Sequence, residues 1–190
     1  EIRNLGPIPI YNQGPIQLMF LQFIPERPAT VGRGRFSFQV SNTQTNILVD
    51  SFKSDISGVV DMELNRTLFN LRYGVAPKTE LSLQVPIMHT TSGFLDSFIV
   101  SFEESVGAKR EIRKRYPDFA FDFTFARDDQ EFLRSERNET GIGDIVLEVK
   151  REIFPETTDW PAFSLRAGVK FPTGDEDIAF GSGEADVGLG

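Results

Sequence analysis

The sequence predicts an all-β, antiparallel protein. Six stretches alternate apolar and polar residues at period two, the spacing of a β-strand whose two faces meet different surroundings. The chain also carries 18 Phe, a residue that favours strands, against 1 Trp and 3 Tyr. It has no apolar run long enough for a membrane-spanning helix, so strands are expected to carry the architecture.

Composition narrows the classes of function. The 190 residues are enough for one domain with a sizeable core. The formal net charge of -8 argues against a nucleic-acid partner, because such proteins usually present a basic face. The absence of cysteine excludes disulfides and cysteine metal sites. No basic-then-apolar leader follows Glu1, so an exported protein would be represented here by its mature form, with its signal peptide removed.

The N-terminal third combines an irregular segment with the first strands. Residues 1–33 are rich in Pro and Gly, which resist helix interiors and central strands, and they predict an irregular N-terminal arm. Strands are expected throughout 34–190, beginning with RFSFQV. LFNLRYGV and ELSLQVPI flank the short turn APKT, which predicts a hairpin with strands at about 60–75 and 80–90.

Three further strands and one helix follow. FAFDFTFA places four phenylalanines on one face, DIVLEVKREIF and FSLRAGVKF continue the alternation, and a seventh run begins at 185–190. GFLDSFIVSFEESVG instead has apolar residues at helical spacing and predicts one short amphipathic helix at about 93–106. Ser92 is its expected N-cap and Gly107 its C-terminal stop.

Strands with one apolar face fit two architectures. In a soluble β-sandwich the apolar faces share a core, whereas in an outer-membrane barrel they meet lipid and the polar faces line the lumen. Periodicity alone leaves both open. The barrel is favoured by opposite charges on the polar face, by the alternation of short with long charged connections, and by strand lengths of about 9 to 12 residues. The aromatic belts are sparse, with Trp160 and Tyr73 as candidates.

Several motifs carry a resemblance to bacterial outer-membrane proteins. GDIVLEVKREIF, FSLRAGVKFPTGD and FGSGEADVGLG resemble a pattern of outer-membrane barrels that includes a transporter-like group found near aromatic-degradation pathways. GPIPIYNQGPIQLMFLQFIPE, GRGRFSFQVSNTQTNILV and GFLDSFIVSFEESVG are similar to a poorly characterised family of exported barrels of unknown function, which opens with Gly-Pro-x-Pro-x-x-Asn-Gln. Together these stretches cover most of the chain. Glu103 stands where His is common in that family, which argues against a metal or acid–base role there.

The resemblance implies the N-terminal part of an antiparallel, up-and-down transmembrane β-barrel in the bacterial outer membrane. Related barrels continue for several strands, so this one is expected to continue beyond Gly190. The expected function is a passive channel or small-molecule transporter embedded in the lipid bilayer, with the substrate left open. The first alternative is a non-transporting scaffold barrel that binds a protein partner through its long charged loops at 91–117 and 127–141. The second is a soluble β-sandwich binding domain.

The best candidates for a functional role are charged residues on the polar faces of two neighbouring strands. If those faces line a lumen, the charges set its selectivity. They equally suit ordinary lumen filling by side chains that pair with one another. These residues are Glu148, Lys150, Glu152, Arg166 and Lys170.

No enzymatic activity, cofactor or metal site is predicted. The acidic stretch TGDEDIAFGSGEAD offers oxygen ligands for calcium, but its spacing is not that of an EF-hand, and a solvated turn is favoured. His89 is the only histidine and shares a face with Leu83 and Val85, which is not the polar pocket of a catalytic triad. A boundary position near the bilayer interface is expected for it.

Overall fold

The computed structural model describes residues 7, 10, 12–52, 56–107, 120–128, 130–135 and 137–190. All the strand pairs between its elements are antiparallel, which confirms the predicted all-β, antiparallel class. In chain order the elements are α1 Pro15–Leu18, β1 Phe36–Phe52, β2 Ile56–Ala76, β3 Thr79–Thr91, α2 Asp96–Ser105, β4 Asp122–Arg127, β5 Gln130–Arg134, β6 Thr140–Ile142, β7 Ile145–Phe154, β8 Phe163–Phe171 and β9 Asp186–Leu189.

The described strands form one sheet that curls into an open half-barrel. The main order is β5-β4-β2-β3-β7-β8-β9, with β1 beside β2 and β6 beside β3. β2 is 21 residues long and organises the sheet. Its first part pairs with β4 and its second part with β3, while β1 pairs along its other edge. Most neighbours in the sheet are also close in sequence, as in an up-and-down arrangement.

The predicted hairpin is confirmed by β2 and β3, which are joined by a turn at Pro77 and Lys78. The strand predicted at RFSFQV is also present, but β1 continues to Phe52. Its polar part, SNTQTN, has no alternation to reveal it. Hydrogen bonds across the strand pair hold it instead, because Asn42 Nδ2 donates to Asn65 Oδ1 at 2.8 Å.

Two strands lie within 127–141, where the sequence pattern predicts only a charged loop. β5 pairs with β4, and β6 extends the partner edge of β3 beyond the end of β7. Both strands are short and rich in charged or polar residues, so period two does not stand out in them. The other expected loop, 91–117, contains α2, and its residues 108–119 lie outside the described residues.

The predicted helix is confirmed as α2, although its first turn is capped differently. Leu95, not Ser92, is the N-cap residue, and it forms no side-chain cap hydrogen bond. Glu63 Oε1 accepts hydrogen bonds from the backbone N–H groups of Phe94 at 3.0 Å and Leu95 at 2.6 Å. A carboxylate suits this place because the first N–H groups of a helix lack intrahelical partners. Gly107 follows the helix with φ +73°, as expected of a C-terminal stop.

The two faces of the sheet are most easily defined on β3. Its inner face carries buried polar residues such as Glu80 and Ser82, and its outer face carries exposed apolar residues such as Leu81 and Leu83. This is the reverse of a soluble sheet, whose polar side chains normally face water. The same polarity holds across a contiguous part of the sheet, here called the inverted region, which comprises residues 36–40, 69–76, 79–87, 145–154 and 163–171. Arg151 of β7 is an exception, because it is exposed on the outer face and donates a hydrogen bond to Thr79 there.

The other end of the sheet has the opposite polarity and is here called the ordinary region. It comprises residues 41–52, 56–68, 88–91 and 122–127. Its inner face is mainly apolar, although Arg66 shares it, and its outer face carries polar residues such as Asn42 and Asn65. The buried core lies on the inner face here and consists of Val60, Met62, Leu64, Met88, Phe123, Ala179 and Phe180.

The phenylalanines of FAFDFTFA belong to this ordinary region. Phe123 is 1% exposed and packs in the core, and Phe125 lies over Gly58 on the same inner face. Asp122 and Thr124 therefore lie on the outer face. The expectation that every apolar stripe of the barrel faces outward does not hold for this strand. Phe119 is outside the described residues.

The N-terminal arm runs along the inner face of the sheet. Its described part between residues 12 and 35 contains α1, one isolated bridge from Arg33 to Gly74, and otherwise neither helix nor strand. Leu18 and Met19 pack against the core of the ordinary region. In the described part of the chain, no helix is long and apolar enough to cross a membrane.

Candidate functional site: the charged inner face and the arm

Four of the predicted charged residues lie together on the inner face of β7 and β8. The side chains of Glu148, Lys150 and Lys170 are 3%, 2% and 2% exposed, and that of Arg166 is 16% exposed. Lys150 and Arg166 are direct partners in the β7–β8 register. Two cations placed opposite each other repel, so burying them requires carboxylates nearby.

Glu26 of the arm provides one of these carboxylates. Its oxygens lie 3.0 Å from Arg72 Nη1, 3.2 Å from Lys150 Nζ and 3.3 Å from Arg166 Nη1. One acidic side chain thus contacts cations from β2, β7 and β8. Because it comes from the arm and not from the sheet, it also fixes where the arm crosses the inner face.

Two carboxylates of the sheet complete the charge balance. Glu80 lies 2.8 Å from Lys150 Nζ, and Glu148 lies 3.5 Å from Arg166 Nη1. The resulting group has three carboxylates and three cations, so its formal charges balance. Its members, here called the Glu26 cluster, are Glu26, Arg72, Glu80, Glu148, Lys150 and Arg166.

The same charged side chains also bind the backbone of the arm. Arg166 Nη1 donates to the carbonyl of Ile24 at 2.8 Å, and Lys150 Nζ donates to that of Arg27 at 3.0 Å. Glu80 accepts a hydrogen bond from the backbone N–H of Val31 at 2.5 Å. The described part of the arm has no strand or long helix to satisfy these groups, so side chains of the sheet satisfy them.

Glycines on β8 and around β9 make room for the arm. Added Cβ atoms at Gly168, Gly188 and Gly190 would lie 3.1, 3.1 and 3.0 Å from the ring of Phe23. The guanidinium of Arg166 also lies over this ring, 4.8 Å from the ring centroid. Because these three glycines have no side chains, the ring of Phe23 can pack directly against the backbone of the sheet. This explains why an otherwise polar inner face accepts an aromatic residue here.

A second charged group holds the turn between β8 and β9. Lys170 Nζ donates to Asp144 Oδ2 at 2.6 Å, to Ser182 Oγ at 2.5 Å and to the carbonyl of Glu184 at 3.0 Å. Asp144 also accepts hydrogen bonds from the backbone N–H groups of Gly174 at 3.0 Å and Ser182 at 3.2 Å. These hydrogen bonds bring together the GD motif at 143–144, Lys170, the PTGD motif at 172–175 and the GSG motif at 181–183.

Glu152 lies apart from both groups. It sits near the turn end of β7 and pairs with Lys78 of the β2–β3 turn at 3.7 Å, where the side chains of Lys78 and Glu152 are 51% and 14% exposed. Of the predicted charges, Glu152 is the one whose only ion-pair partner among the described residues is exposed to solvent, and a pair of this kind contributes little to stability.

The acidic stretch TGDEDIAFGSGEAD, considered above as a calcium site, uses its carboxylates for contacts within its own turn and with the arm. Asp186 accepts a hydrogen bond from the backbone N–H of Leu21 at 2.9 Å and lies 3.5 Å from Lys170. Asp175 Oδ1 accepts from the N–H of Asp177 at 3.0 Å within its own turn. The described residues contain no group of three His, Cys, Asp or Glu side chains placed to hold a metal ion.

His89 lies on the outer face of the ordinary region. Its Nδ1 is 2.7 Å from Thr140 Oγ1 and 3.1 Å from the carbonyl of Glu139, so it links β3 to β6. It is on the same face as Leu83 and Val85, as the alternation predicts, but beyond the point where that face becomes polar.

A cavity of about 310 Å³ lies beside the Glu26 cluster, between the arm and the sheet. Polar side chains of the inner face line one side of it, among them Gln39, Asn70 and Gln84. Asn70 Oδ1 and Arg72 Nε are buried without a hydrogen-bond partner among the described residues. The cavity is at the lower end of the size range of small-molecule sites and is suited to a small polar solute.

Three members of the Glu26 cluster are absent from the predicted set: Glu26, Arg72 and Glu80. Arg72 and Glu80 stand at polar positions of alternating strands, so a search for charges across both strands of the hairpin would have found them. Glu26 has no such signal. It lies in an irregular segment, and its contacts are 46 residues away at Arg72 and 140 residues away at Arg166.

Comparisons with known proteins add a family match that covers nearly the whole chain. A family model described as "Protein of unknown function (DUF3187)" matches residues 2–190. No curated protein and no solved structure matches the chain.

Proposed function

The chain belongs to the DUF3187 family, and we propose that it forms part of the wall of an outer-membrane β-barrel that is a passive route for small polar molecules. The observation that supports this most directly is the polarity of the inverted region. Its polar face is buried and its apolar face is exposed. A transmembrane barrel has this polarity because lipid surrounds it and polar groups fill it.

The exposed apolar face is too extensive for a typical surface in water. Soluble monomers rarely expose contiguous apolar patches of more than a few hundred Å². Here neighbouring strands contribute large apolar residues to one continuous outer face. They include Phe36, Phe38 and Val40 of β1, Leu71, Tyr73 and Val75 of β2, Leu81, Leu83 and Ile87 of β3, Leu147 and Val149 of β7, and Phe163, Leu165 and Phe171 of β8.

The inner face argues in the same direction. In a soluble β-sandwich the polar face would be in water and the apolar face would be covered. In this chain the arm covers the polar face and leaves the apolar one open. The soluble sandwich is therefore the alternative that the geometry favours least.

Strand length and sheet edges are compatible with a membrane span. β8 has nine residues, which is within the range of about 9–11 for a tilted transmembrane strand. A sheet in hydrocarbon must close, because unpaired backbone groups at an edge are not tolerated there. In the proposed barrel, the open edges of β1 and β9 therefore pair with further strands.

The side chains and the arm inside such a barrel would determine which solutes can pass through it. The arm occupies part of the inner face, and the formal charges of the Glu26 cluster beside the cavity balance. Both features favour a narrow path with weak preference between anions and cations. They favour the view that the predicted charges mainly pair with one another over the view that they set selectivity.

The arm also supports a second candidate, a barrel that does not conduct and acts as a scaffold. Its backbone is hydrogen-bonded to four charged side chains of the sheet, an arrangement suited to a permanent filling. The difference between the two candidates is whether solute passes beside the arm.

The first experiment expresses the full-length gene in a Gram-negative host and compares boiled with unboiled protein from outer membranes on a denaturing gel. Faster migration without boiling is expected of a closed barrel. Recovery in the soluble fraction with no change on boiling would contradict the membrane proposal. Purified protein is then added to a planar bilayer. Small, weakly selective current steps support the channel, whereas a heat-modifiable barrel without current supports the scaffold.

A further inference from the structure

The helix α2 carries an aromatic stripe that nothing in the described structure covers. Phe94, Phe98, Phe102 and Val106 recur every four residues and are 71%, 69%, 58% and 59% exposed. The rings of Phe98 and Phe102 stack with centroids 6.5 Å apart. A helix on a soluble protein normally turns such a stripe toward the core.

The first turn of the helix is anchored to the outer face of the sheet. Glu63 is 0% exposed and binds the two backbone N–H groups at the start of the helix. Asp96, in the first turn, is 4% exposed and accepts a hydrogen bond from Asn46 Nδ2 at 2.9 Å. Gln44 Nε2 donates to the other oxygen of Glu63 at 2.7 Å. Because these contacts lie on the opposite side from the stripe, they turn the exposed phenylalanines away from the sheet.

These anchors lie on the outer face, just beyond the exposed apolar surface. Glu63 is in register with Asn46 on one side and with Thr91 on the other. Thr67 lies four residues after Glu63 on β2, and its partner on β3 is Ile87. Ile87 is the last exposed apolar residue on the outer face of β3. Four residues span about 13 Å of strand, and a tilt of about 40° reduces this to about 10 Å of height. The helix therefore begins at the height of the headgroups if the inverted region is in lipid.

We propose that α2 lies flat on the membrane surface, with Phe98 and Phe102 inserted at the border between headgroups and acyl chains. This inference rests on the proposed membrane location of the inverted region. The flank of the helix next to the stripe is polar and exposed at Ser97, Ser101 and Glu104, as an interfacial helix requires on its water side. The bilayer surface offers an apolar layer to the aromatic stripe and water to the polar flank, so no protein partner is needed to cover the helix.

Spin labels on single cysteines test the proposal, because the 190 residues contain no cysteine of their own. Labels are placed at Phe98→Cys and Phe102→Cys in the full-length protein, reconstituted in phosphatidylcholine vesicles. Their collision rates with oxygen, which concentrates in lipid, and with a polar nickel chelate, which stays in water, are compared. Two matched controls are Leu83→Cys on the outer face of the inverted region and Phe132→Cys, which is 61% exposed on β5.

We expect high oxygen and low nickel accessibility at Phe98→Cys and Phe102→Cys, with a shallower depth than at Leu83→Cys and the opposite ratio at Phe132→Cys. High accessibility to both reagents on α2 would place the helix in water and overturn the inference. Low accessibility to both would mean that protein covers it, whether a partner or a second copy, and would overturn it too. A label at Leu83→Cys without lipid exposure would instead refute the proposed function itself.

Discussion

One sheet contains two regions of opposite polarity, and β2 passes through both. In the ordinary region, Met62 and Leu64 point inward to an apolar core, while Asn65 points outward. In the inverted region, Arg72 points inward to the Glu26 cluster, while Leu71 is 44% exposed on the outside. Both regions contain clearly alternating segments, FAFDFTFA in the ordinary region and LFNLRYGV in the inverted region. The comparison teaches that period two identifies a strand with two different faces but does not identify which face is covered.

The two regions are also held by different forces. The ordinary region relies on burial of apolar side chains, the main favourable contribution to folding. The inverted region buries charges, whose desolvation opposes folding and is offset only when every charge has close partners. Substitutions should therefore affect the two regions through different mechanisms and by different amounts.

The largest effect is expected from emptying the core of the ordinary region. Phe123→Ala removes a ring that is 1% exposed and that packs edge-on against Phe125 at 5.7 Å between centroids. We expect the free energy of unfolding to fall by about 3–5 kcal/mol, measured by denaturant titration of the refolded protein. Phe132→Ala, at an exposed position, is the control and should change it by about 0.5 kcal/mol. Equal losses at both positions would contradict an inner-face core.

The next effect concerns the charged filling of the inverted region. Glu26→Gln keeps the shape of the side chain but leaves Lys150 and Arg166 with less negative charge nearby. We expect a loss of about 3 kcal/mol and release of the arm, because breaking a buried ion pair leaves charges uncompensated. Release is measured as faster trypsin cleavage after Arg33. Unchanged cleavage would mean that the arm is held by the backbone contacts and the packing of Phe23.

A lysine substituted on the outer face tests whether lipid or water surrounds each region. Leu83→Lys places a charge on the apolar outer face of β3, and in a bilayer it should cost about 2–4 kcal/mol near the midplane. Asn42→Lys places the same charge on the outer face of the ordinary region, where it removes the hydrogen bonds from Asn42 to Asn65 and Thr67 and should cost about 1 kcal/mol. Both are measured by unfolding from lipid vesicles. Similar small costs at the two positions would argue that water, not lipid, meets both regions.

The smallest effect is expected at Glu152, the predicted charge that lies outside both charged groups of the inner face. Glu152→Gln makes the same chemical change as Glu26→Gln, but it breaks a single pair with the solvent-exposed Lys78 at 3.7 Å. The unfolding free energy should change by no more than about 0.5 kcal/mol, and arm cleavage should not change. A loss comparable to that of Glu26→Gln would extend the buried cluster to the turn end of β7.

Some elements of the fold are readable from local pattern because local chemistry dictates them. The β2–β3 hairpin follows from two alternating runs around a Pro turn, and α2 follows from apolar residues at helical spacing. Local pattern does not reveal β5, β6 or the second half of β1. These strands are stabilised by pairing with neighbours, and their polar or charged residues carry no periodic signal of their own.

The charged residues divide in the same way. Glu148, Lys150, Arg166 and Lys170 are recognisable because a charge within an alternating strand must lie on its polar face. Lys170 nevertheless clamps a turn with Asp144, whereas Lys150 joins Glu80 and the arm. Which charges meet depends on the register between strands, and register is a property of the sheet and not of any single segment.

By itself, the sequence determined the all-β class, the main hairpin, the helix and the existence of a charged face, because each depends on residues close together in the chain. Tertiary structure alone decided that this face is covered by the arm, that Glu26 completes its charge balance, and that polarity reverses along β2. The physical reason is that burial is a relation between distant segments. A strand has the same alternation whether its apolar side meets a core, as at Phe123, or remains exposed, as at Leu83.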